Sequence, residues 1–308
     1  MKTGIETVAV IILTVDQQER TLECLASLTD LEESGLQVVV WDNGSRDGTV
    51  AAIREAFPQV LVHHHPRNLG VASGRNAGAR LALERFSPTH LLFVDNDMLF
   101  KNGFVRELLR PFSEDDRLGQ TQAKLRFADD RERLNDGGGA KIDFVLWQVT
   151  PVGYGETDRG QHDTVRECVA CGGAMMVRAD VFRELGGFDP TFDPFGPEDL
   201  DFSLRLKEAG YRALYVPRAI AYHSVSHTFG AGYSEEYARH KSRHWFTFMR
   251  RHASPIEQLG FYLVGAPYLT IRAILRESRR GNLGALRGLA RGILSLSRSS
   301  ARTKDREQ

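Results

Sequence analysis

The stretch Leu91-Leu92-Phe93-Val94-Asp95-Asn96-Asp97 joins four apolar residues to two carboxylates one residue apart. The apolar run predicts a buried β-strand that ends where the carboxylates begin. Carboxylate oxygens are preferred ligands of divalent cations, which often share their coordination with substrate phosphates. Asp-x-Asp also occurs in turns, so the rest of the chain has to decide between a metal site and a turn.

Strands and helices alternate along the first half of the chain. Apolar patterning predicts strands at 8–13, 38–41, 60–63 and 91–94, and helices at 20–31, 47–57 and 71–86. This order is typical of an α/β fold with a mostly parallel, Rossmann-like sheet and helices on both faces. Ligands of such sheets bind beyond the carboxyl ends of strands, where Asp16, Asp42 and Asp95 are predicted to meet.

Charge divides unevenly along the 308 residues. The 40 basic and 40 acidic residues cancel, but residues 241–308 hold fourteen Lys or Arg against four Asp or Glu. The tail therefore carries a net charge of +10 and the remainder −10. This asymmetry predicts a catalytic domain at 1–230 and a basic helical extension at 231–308. The sequence holds no run of eighteen apolar residues, so no transmembrane helix is predicted.

Three cysteines indicate a reducing environment. Cys24, Cys168 and Cys171 form an odd, small set, and no signal peptide precedes them, so a cytoplasmic location is expected. Cys168 and Cys171 have C-x-x-C spacing, but a zinc site would need a second pair of ligands at matching spacing. We interpret them as small residues that enter a buried strand.

The second half is less regular. Residues 120–170 are glycine-rich and predict binding loops rather than a strand. The pattern resumes with strands at 174–177 and 213–216 and a helix at 199–209 that Gly210 ends. Pro217 and His223 follow the last strand, and from about Ser234 the chain reads as helical.

Several sequence blocks occur in an order that resembles a known family. The blocks are Val10–Thr14, Val40–Thr49, Asn68–Gly70, Gly74–Gly78, Asp95–Asp97, Gly172–Ala174, Gly186–Asp189, Glu198–Asp201 with Arg205, Ala209–Tyr211 and His223. Together they resemble the family-2 inverting glycosyltransferases with the nucleotide-sugar-binding GT-A fold, especially the rhamnosyltransferase-like branch, over residues 6–225. The chain departs from the family at Leu13-Thr14-Val15-Asp16, where Pro, an aromatic residue and Asn are more usual.

The resemblance implies a metal-dependent enzyme that moves a sugar from a nucleotide-diphosphate donor, UDP- or dTDP-linked, to an acceptor hydroxyl. Asp97 is expected to bind the metal, with Asp95 and His223 as further ligands. An imidazole ligand favours Mn²⁺ somewhat over Mg²⁺. Taken alone, a histidine in Tyr222-His223-Ser224 is more often structural, and the family context reverses that preference.

The resemblance also implies a set of donor-binding residues. They are Thr14, Asp16, Asp42, Asn43, Arg75, Asn76, Asp95, Asn96, Gly172 and Gly173. Asp42 is expected to accept the imide N–H of uracil or thymine, and the alternative is an Asx-turn that caps the next helix. Arg75 is expected to approach a phosphate near a helix N-terminus, and the alternative is a surface salt bridge.

The acidic segment 198–201 is the predicted catalytic centre. Residues two apart on a helix point to nearly opposite sides, so Asp199 and Asp201 cannot both face one substrate. By resemblance Asp199 is the general base, with Glu198 beside it, and Asp201 caps the helix or pairs with Arg205. Direct attack by the acceptor on the sugar inverts the anomeric centre without a nucleophilic carboxylate.

A basic amphipathic pattern marks the C-terminal extension. Residues 255–308 first hold a set of apolar residues, which are Phe261, Tyr262, Leu263, Val264, Tyr268, Leu269, Ile271 and Ile274. Apolar residues then recur at three- to four-residue steps with arginines between them, at Leu283, Leu286, Leu289, Ile293 and Leu296. Such a helix is typical of an interfacial membrane segment or a partner-binding helix, and the alternative is a helix folded over the catalytic body. A peripheral position on the inner membrane face and a saccharide or lipid-linked acceptor would follow. Sparse aromatic residues argue against nucleic acid.

Three other classes of function were weighed. A nucleotidyltransferase also pairs a nucleotide-binding sheet with acidic metal ligands, but it usually has a Gly-rich basic loop early in the chain, which residues 11–20 lack. A non-catalytic sugar-nucleotide-binding scaffold at the membrane would not need carboxylates at 95, 97 and 199. A dinucleotide-dependent dehydrogenase would show Gly-x-Gly-x-x-Gly after its first strand, which is missing.

Overall fold

The chain divides into two compact units in the computed structural model, which describes residues 6–31, 33, 35–170, 172–224 and 234–304. The first unit comprises Met1–Lys141, Thr150–Pro190 and Glu198–Ser226. The second comprises Ile142–Val149, Thr191–Pro197 and His227–Gln308. Two short segments from within residues 1–230 thus belong to the second unit, and the predicted functional boundary at 230 remains a prediction.

A ten-stranded sheet forms the centre of the first unit. Its strands are β1 (Val8–Thr14), β2 (Gln37–Asp42), β3 (Leu61–His64), β4 (His90–Asp95), β5 (Met98–Phe100), β6 (Leu118–Phe127), β7 (Leu134–Asp136), β10 (Arg166–Glu167), β11 (Ala174–Arg178) and β12 (Arg212–His223). They lie in the order β10-β12-β6-β11-β4-β1-β2-β3, and in addition β5 pairs with β12 and β7 pairs with β6. β8 (Ala140–Asp143) and β9 (Gln148–Pro151) pair separately.

Helices cover both faces of this sheet because its central strands are apolar on both sides. They are α1 (Gln18–Thr29), α2 (Thr49–Ala56), α3 (Val71–Phe86), α4 (Phe104–Leu109), α5 (Ala179–Glu184) and α6 (Glu198–Glu208). Along β1, Val10 and Ile12 join one buried core and Ile11 joins the other. Burying each such side chain contributes about 1.5–3 kcal/mol. The predicted fold class is confirmed.

Strand register brings the predicted site residues together. β1 runs parallel to β2 and β4, so Thr14 lies opposite Asp42 and Leu13 lies opposite Asp95. The carboxyl ends of these strands therefore lie at one edge of the sheet. β11 joins this parallel group antiparallel to β4, with Ala174 opposite Val94. Gly172 and Gly173, just before β11, are thereby close to the same edge.

Two predictions about the second half were wrong. The irregular segment contains β6, a ten-residue strand in the middle of the sheet, which pairs with both β11 and β12. The last strand does not end at Val216 but continues through Pro217 to His223, with an irregularity in its pairing to β6 between Val216 and Ile220. His223 is therefore a strand residue, and its position is fixed by backbone pairing.

The two described cysteines of the first unit are buried thiols. Cys24 and Cys168 are both free, and burial raises the pKa of the Cys168 thiol to about 12. Such thiols are chemically inert, since the thiolate is the reactive form. Cys171, the other member of the C-x-x-C spacing, lies outside the described residues.

The second unit is helical. It contains α7 (Glu235–His252), α8 (Pro255–Gly260), a π-helical turn at Phe261–Gly265, α9 (Ala266–Arg279) and α10 (Leu283–Lys304). α10 packs on α7 through small residues, because a Cβ at Gly288 or Gly292 would overlap α7. Leu283 and Ile293 remain exposed. Within the described part of the chain, every helix is too short or too polar to cross a membrane.

Candidate active site

Three predicted metal ligands converge at the carboxyl edge of the sheet. Asp95 ends β4, Asp97 precedes β5, and His223 ends β12. β5 pairs antiparallel with β12, and Met98 lies opposite His223. As a result, one ligand atom from each of the three side chains lies within 4.8 Å of the other two. Two carboxylates and an imidazole at this spacing suit a divalent transition metal.

Asn135 orients the imidazole of His223. Its side-chain oxygen lies 3.0 Å from His223 Nδ1, and His223 Nε2 lies 3.4 Å from Asp97 Oδ1. An amide oxygen only accepts hydrogen bonds, so Nδ1 carries the proton and Nε2 faces the carboxylates. Burial lowers the pKa of His223, but the hydrogen bond and charge of Asp97 outweigh burial and raise that pKa. A ligating histidine is commonly held through its other nitrogen in this way.

Arg75 joins the metal-ligand cluster to the predicted catalytic carboxylates. One guanidinium nitrogen lies 2.6 Å from Asp95 Oδ1 and another lies 3.0 Å from Glu198 Oε1. The Arg75 side chain is 9% exposed, so the alternative of a surface salt bridge was wrong. The pair with Glu198 is buried, whereas the Asp95 side chain is 34% exposed, and the strength of both pairs depends on all three groups being present. Whether Arg75 also contacts a donor phosphate stays a prediction.

Glu198 and Asp199 form a carboxylate pair at the start of α6. Burial is the largest cause that raises the pKa of each, while the charge of Arg75 lowers both pKa values. The Asp199 carboxylate accepts hydrogen bonds from the backbone N–H groups of Leu200, at 2.7 Å, and Gly172. Asp199 is therefore held in place by backbone groups, as a general base should be.

Asp201 points away from this pair. It is fully buried, and its carboxylate pairs with Arg205 Nε at 2.8 Å. Arg205 also donates to the backbone carbonyls of Leu185 and Gly187. The predicted pairing of Asp201 with Arg205 is confirmed.

Asp42 forms an Asx-turn, which the sequence offered as the alternative to base recognition, and its contact with a base stays a prediction. Its Oδ1 accepts hydrogen bonds from the backbone N–H groups of Gly44 and Ser45, as in an Asx-turn. His64 Nδ1 lies 2.6 Å from the same oxygen. Among the described residues, no hydrogen-bond donor reaches Asp42 Oδ2, although the residue is fully buried. A buried carboxylate oxygen of this kind is costly, and a ligand donor would satisfy it.

Thr14 and Asp16 lie at the same edge of the sheet, where Thr14 makes contacts through its carbonyl and hydroxyl and Asp16 through its carboxylate. The Thr14 carbonyl accepts from Asn43 N–H at 2.8 Å, and its hydroxyl bonds that of Thr21. Asp16 adopts a left-handed backbone with φ 48°, and its carboxylate accepts from Arg46 N–H at 2.7 Å. Both residues thus fix the loop that follows β2, and the Thr14 carbonyl already has a partner inside the protein.

Three asparagines predicted to bind donor make hydrogen bonds within the protein through their side chains. Asn43 bonds Asn68 and the backbone of Leu69 and Gly70. Asn76 bonds both the N–H and the carbonyl of Phe188. Asn96 donates towards Thr14 and Thr21. The sequence blocks that contain them thus stabilise the loops around the site, and their roles in donor binding remain predictions.

The two glycines before β11 need their lack of a side chain. Gly172 has φ 27°, and a Cβ there would lie 2.8 Å from Asp199 Oδ2. Gly173 has φ 76°, and a Cβ there would lie 2.7 Å from Met98 Cε. Gly173 therefore serves packing against Met98, and its role in donor binding remains a prediction. Gly172 brings backbone close to the proposed base.

Sequence reasoning missed several residues of the site. Asn135, His64 and Arg20 each contact a predicted functional carboxylate or its partner; Arg20 Nη1 lies 3.7 Å from Asp97 Oδ2. His64 belongs to a run of three histidines, His63–His65. The Asp158 side chain is 1% exposed and pairs with Lys124 at 2.9 Å. None of these contacts joins residues close in sequence, so spacing alone gave no signal.

Comparison with known proteins places the chain in a family. Residues 9–186, more than half of the chain, match Glycosyl transferase family 2. Residues 164–228 match the N-terminal domain of galactosyltransferase. The chain is 27% identical to an N-acetylglucosaminyl-diphospho-decaprenol L-rhamnosyltransferase of Mycobacterium tuberculosis H37Rv over 285 residues, 86% of this chain and 92% of that protein. It is 32% identical to the uncharacterized glycosyltransferase YfnE of Bacillus subtilis over 245 residues, 66% of this chain and 60% of YfnE.

Solved structures support the same fold. The structure of GalNAc-T7 with UDP, GalNAc and Mn²⁺ superposes on this chain with a TM-score of 0.60 at 18% identity. The match covers 78% of this chain and about half (48%) of the GalNAc-T7 chain. Mannosyltransferase PcManGT from Pyrobaculum calidifontis, with GDP-Man and Mn²⁺, superposes with a TM-score of 0.56 at 18% identity, over 97% of this chain and 76% of that one. The chain belongs to glycosyl transferase family 2, is rhamnosyltransferase-like within it, and is a glycosyltransferase with a GT-A fold.

Proposed function

We propose that the protein is a metal-dependent inverting glycosyltransferase that moves a sugar from a UDP- or dTDP-sugar to an acceptor hydroxyl. The observation that carries the proposal is the convergence of two carboxylates and an imidazole at one sheet edge, linked by Arg75 to a buried carboxylate pair. The first group suits a cation and a diphosphate, and the second suits proton transfer from an acceptor.

Asp97, Asp95 and His223 would hold Mn²⁺ or Mg²⁺. The residues fit such an ion, since Asp97 is buried and the Asn135 contact turns His223 Nε2 towards it. The two structural neighbours contain Mn²⁺ together with a nucleotide or nucleotide sugar. When bound, the ion supplies positive charge to the diphosphate leaving group. The imidazole among the ligands supports Mn²⁺ over Mg²⁺.

Asp42 would recognise the base. Three donors already occupy Oδ1, so Oδ2 remains for a ligand. Uracil and thymine present one imide N–H to a single oxygen, whereas guanine presents two adjacent donors that suit both oxygens of a carboxylate. The arrangement therefore supports a UDP or dTDP donor over a GDP donor.

Asp199 would act as the general base, with Glu198 beside it. The acceptor oxygen attacks the anomeric carbon of the donor and forms the new glycosidic bond. The bond from that carbon to the diphosphate oxygen breaks, and the nucleoside diphosphate leaves with the electron pair. Asp199 takes the hydroxyl proton of the acceptor. One displacement inverts the anomeric configuration, and no covalent sugar–enzyme bond forms.

The acceptor would be a saccharide, and in particular a lipid-linked one. The rhamnosyltransferase relative, whose match extends over 86% of this chain, is named for a decaprenol-diphosphate-linked acceptor. In this proposal residues 1–230 form the catalytic domain, and the helical extension at 231–308 meets an anionic membrane surface on its cytoplasmic side. The products would then serve cell-surface polysaccharide or glycolipid synthesis.

Thermal stabilisation by a panel of UDP-, dTDP- and GDP-sugars, each with and without Mn²⁺, tests the donor and metal. We expect stabilisation by UDP- or dTDP-sugars that requires Mn²⁺, and loss of this Mn²⁺-dependent stabilisation in Asp97→Asn. Stabilisation by GDP-sugars alone would contradict the assigned role of Asp42. Stabilisation that ignores Mn²⁺ would contradict the metal site.

Product stereochemistry tests the reaction course. With the donor class known from the panel, NMR of the glycosylated acceptor reports the anomeric configuration. We expect a product inverted relative to the donor. A retained configuration would exclude single displacement and the role of Asp199 as base.

A further inference from the structure

The segment 255–279 has an inner face that is packed within the second unit. Phe261 stacks on Trp147, with ring centroids 4.7 Å apart, and is 4% exposed. A Cβ at Gly260 would lie 3.1 Å from Val145 Cγ2, so the backbone of α8 lies against the Phe144–Trp147 turn. Ser254 starts α8 with a capping box that includes Glu257. The inner face of the segment is therefore held by packing, and its N-terminal end is held by the capping box.

The outer face of the same segment is also apolar. Ile256 is 78% exposed and Leu263 is 68% exposed. Leu259, Val264, Tyr268, Ile271, Ile274 and Leu275 are exposed as well. A helix that packs on one side normally presents polar residues on the other. Exposed apolar residues gathered in one segment mark an interaction surface rather than ordinary solvent exposure. We call Ile256, Leu259, Leu263, Ile271 and Leu275 the apolar ridge.

Arginines border the apolar ridge at its C-terminal end. Four of them line a recess of about 490 Å³ together with Tyr268, Ile271 and Leu275: Arg272, Arg276, Arg279 and Arg280. We call this the arginine recess. The segment holds only two acidic residues. Glu257 belongs to the capping box, and Glu277 is buried and pairs with Arg276, so Arg272, Arg279 and Arg280 carry the outward positive charge.

We propose that the apolar ridge and arginine recess bind the surface of an anionic lipid bilayer. The ridge would enter the boundary between headgroups and acyl chains, and the arginines would contact lipid phosphates. The described helices are too short or too polar to span a bilayer, which fits contact along its surface. The inference rests on the proposed function for the lipid-linked acceptor, and it places the contact on α8 and α9.

This location is narrower than the one that the sequence suggested. The sequence pattern pointed to the whole of 255–308, including the leucines of 283–296 on α10, as the membrane segment. α10 instead packs on α7 through Gly288 and Gly292, and its Leu286 and Leu289 are half-buried. Leu283 and Leu294 on α10 are 59% and 64% exposed, close to the values for the ridge. Replacing these two leucines is therefore a matched control, because they are about as exposed as the residues of the apolar ridge but do not belong to it.

Flotation of the full-length chain with vesicles tests the proposal without any catalytic step. The vesicles contain phosphatidylcholine alone or phosphatidylcholine with phosphatidylglycerol. We expect binding to the anionic vesicles, and at least a tenfold loss of partitioning in the Leu259→Ser/Leu263→Ser variant. The Leu283→Ser/Leu294→Ser variant should float as the unaltered chain does. Arg272→Gln/Arg279→Gln should remove the preference for phosphatidylglycerol.

Two outcomes would overturn the proposal. If the ridge variant floats as well as the unaltered chain, or if the unaltered chain binds neither kind of vesicle, the ridge is not a membrane surface. If light scattering shows a dimer that the ridge variant converts to a monomer, the ridge joins two copies instead. Nucleotide-sugar stabilisation with Mn²⁺, measured on the same preparations, reports the proposed function separately, so failure of one is distinguishable from failure of the other.

Discussion

Replacing Arg75 with Met removes the cation shared by Asp95 and Glu198 and, by our reasoning, changes the pH at which the enzyme works. Arg75 lowers the pKa of both Glu198 and Asp199. Two charges about 4 Å apart interact by about 4 kcal/mol at an effective dielectric constant of about 20. That interaction energy corresponds to a pKa shift of about three units, and solvent screening in the partly exposed site reduces the expected shift to about one to three units.

The sign follows from which form of Asp199 is active. A general base works when deprotonated, so raising its pKa moves the acid limb of the pH–rate profile to higher pH. For Arg75→Met we expect kcat/KM near pH 7 to fall about 10- to 1000-fold and to recover as the pH rises by one to three units. Arg75→Lys keeps the charge and should shift the limb less. The assay is the pH dependence of kcat/KM for nucleoside diphosphate release with a saturating acceptor.

A donor-phosphate role for Arg75 makes the opposite prediction. In that case the KM for the sugar donor rises at every pH, and the acid limb does not move. An unshifted limb with uniformly lost activity would therefore refute the control of Asp199 ionisation by Arg75.

Stability gives an independent readout of the same perturbation. A carboxyl whose pKa is raised by folding binds a proton more tightly in the folded state, so stability falls as the pH rises from about 4 towards the folded pKa. We expect the free energy of unfolding of Arg75→Met to fall more steeply with pH than that of the unaltered protein, by up to about 1.4 kcal/mol per unit. Arg75→Met/Glu198→Gln should recover part of the loss, because it removes the buried unpaired charge. A double variant no more stable than Arg75→Met would contradict this account.

Three further predictions concern single residues. Asp199→Asn should lose at least about 10²-fold in kcat while keeping its affinity for donor, and unchanged turnover would remove Asp199 from the role of base. Asn135→Ala should weaken Mn²⁺ binding about 10- to 100-fold by calorimetry. Asn135→Asp keeps the acceptor for His223 and should bind Mn²⁺ nearly as the unaltered chain does; equal losses in both variants would contradict the orienting role. Asp42→Asn should weaken UDP or dTDP binding about 10- to 100-fold without changing Mn²⁺ affinity, and equal nucleotide binding would exclude Asp42 as the base contact.

The parallel half of the fold could be predicted because its residues obey local rules. The predicted helix at 71–86 coincides with α3, and the strands at 8–13 and 91–94 lie within β1 and β4. These strands are buried on both faces and read as continuous apolar runs. Carboxylates at their ends were therefore recognisable from position alone, and the fold class followed from the alternation of elements.

β6 escaped prediction because its buried positions are polar. Gln122 donates to Asp136 Oδ2 at 3.2 Å, and Thr121 donates to the Leu108 carbonyl at 3.1 Å. Lys124 is 1% exposed and pairs with Asp158. Each of these three side chains has a partner distant in sequence, which makes its burial tolerable but hides the strand from any pattern of apolar residues.

The site showed the same division between local and distant information. Asp95, Asp97 and His223 were identified as a set through resemblance, and the sheet brings their ligand atoms together. The partners that orient them, such as Asn135, lie on a strand within the segment interpreted as loops. Asn76 stands inside a motif that suggests donor contact, but it bonds the backbone of Phe188. A motif thus identifies the neighbourhood of a site, while the direction of each side chain depends on tertiary packing.

Because of the three-residue strand β5, the proposed metal site can open locally while the rest of the sheet stays folded. β5 links the two proposed ligands, because Met98 directly follows Asp97 in the chain and pairs with His223. Short strands open locally at a lower free energy than the sheet to which they belong. Opening of β5 would separate Asp97 from His223 while β1, β2 and β4 stay folded. Amide exchange at Met98–Phe100 should accordingly be faster than at Leu91–Val94, and binding of Mn²⁺ should slow exchange at β5 first.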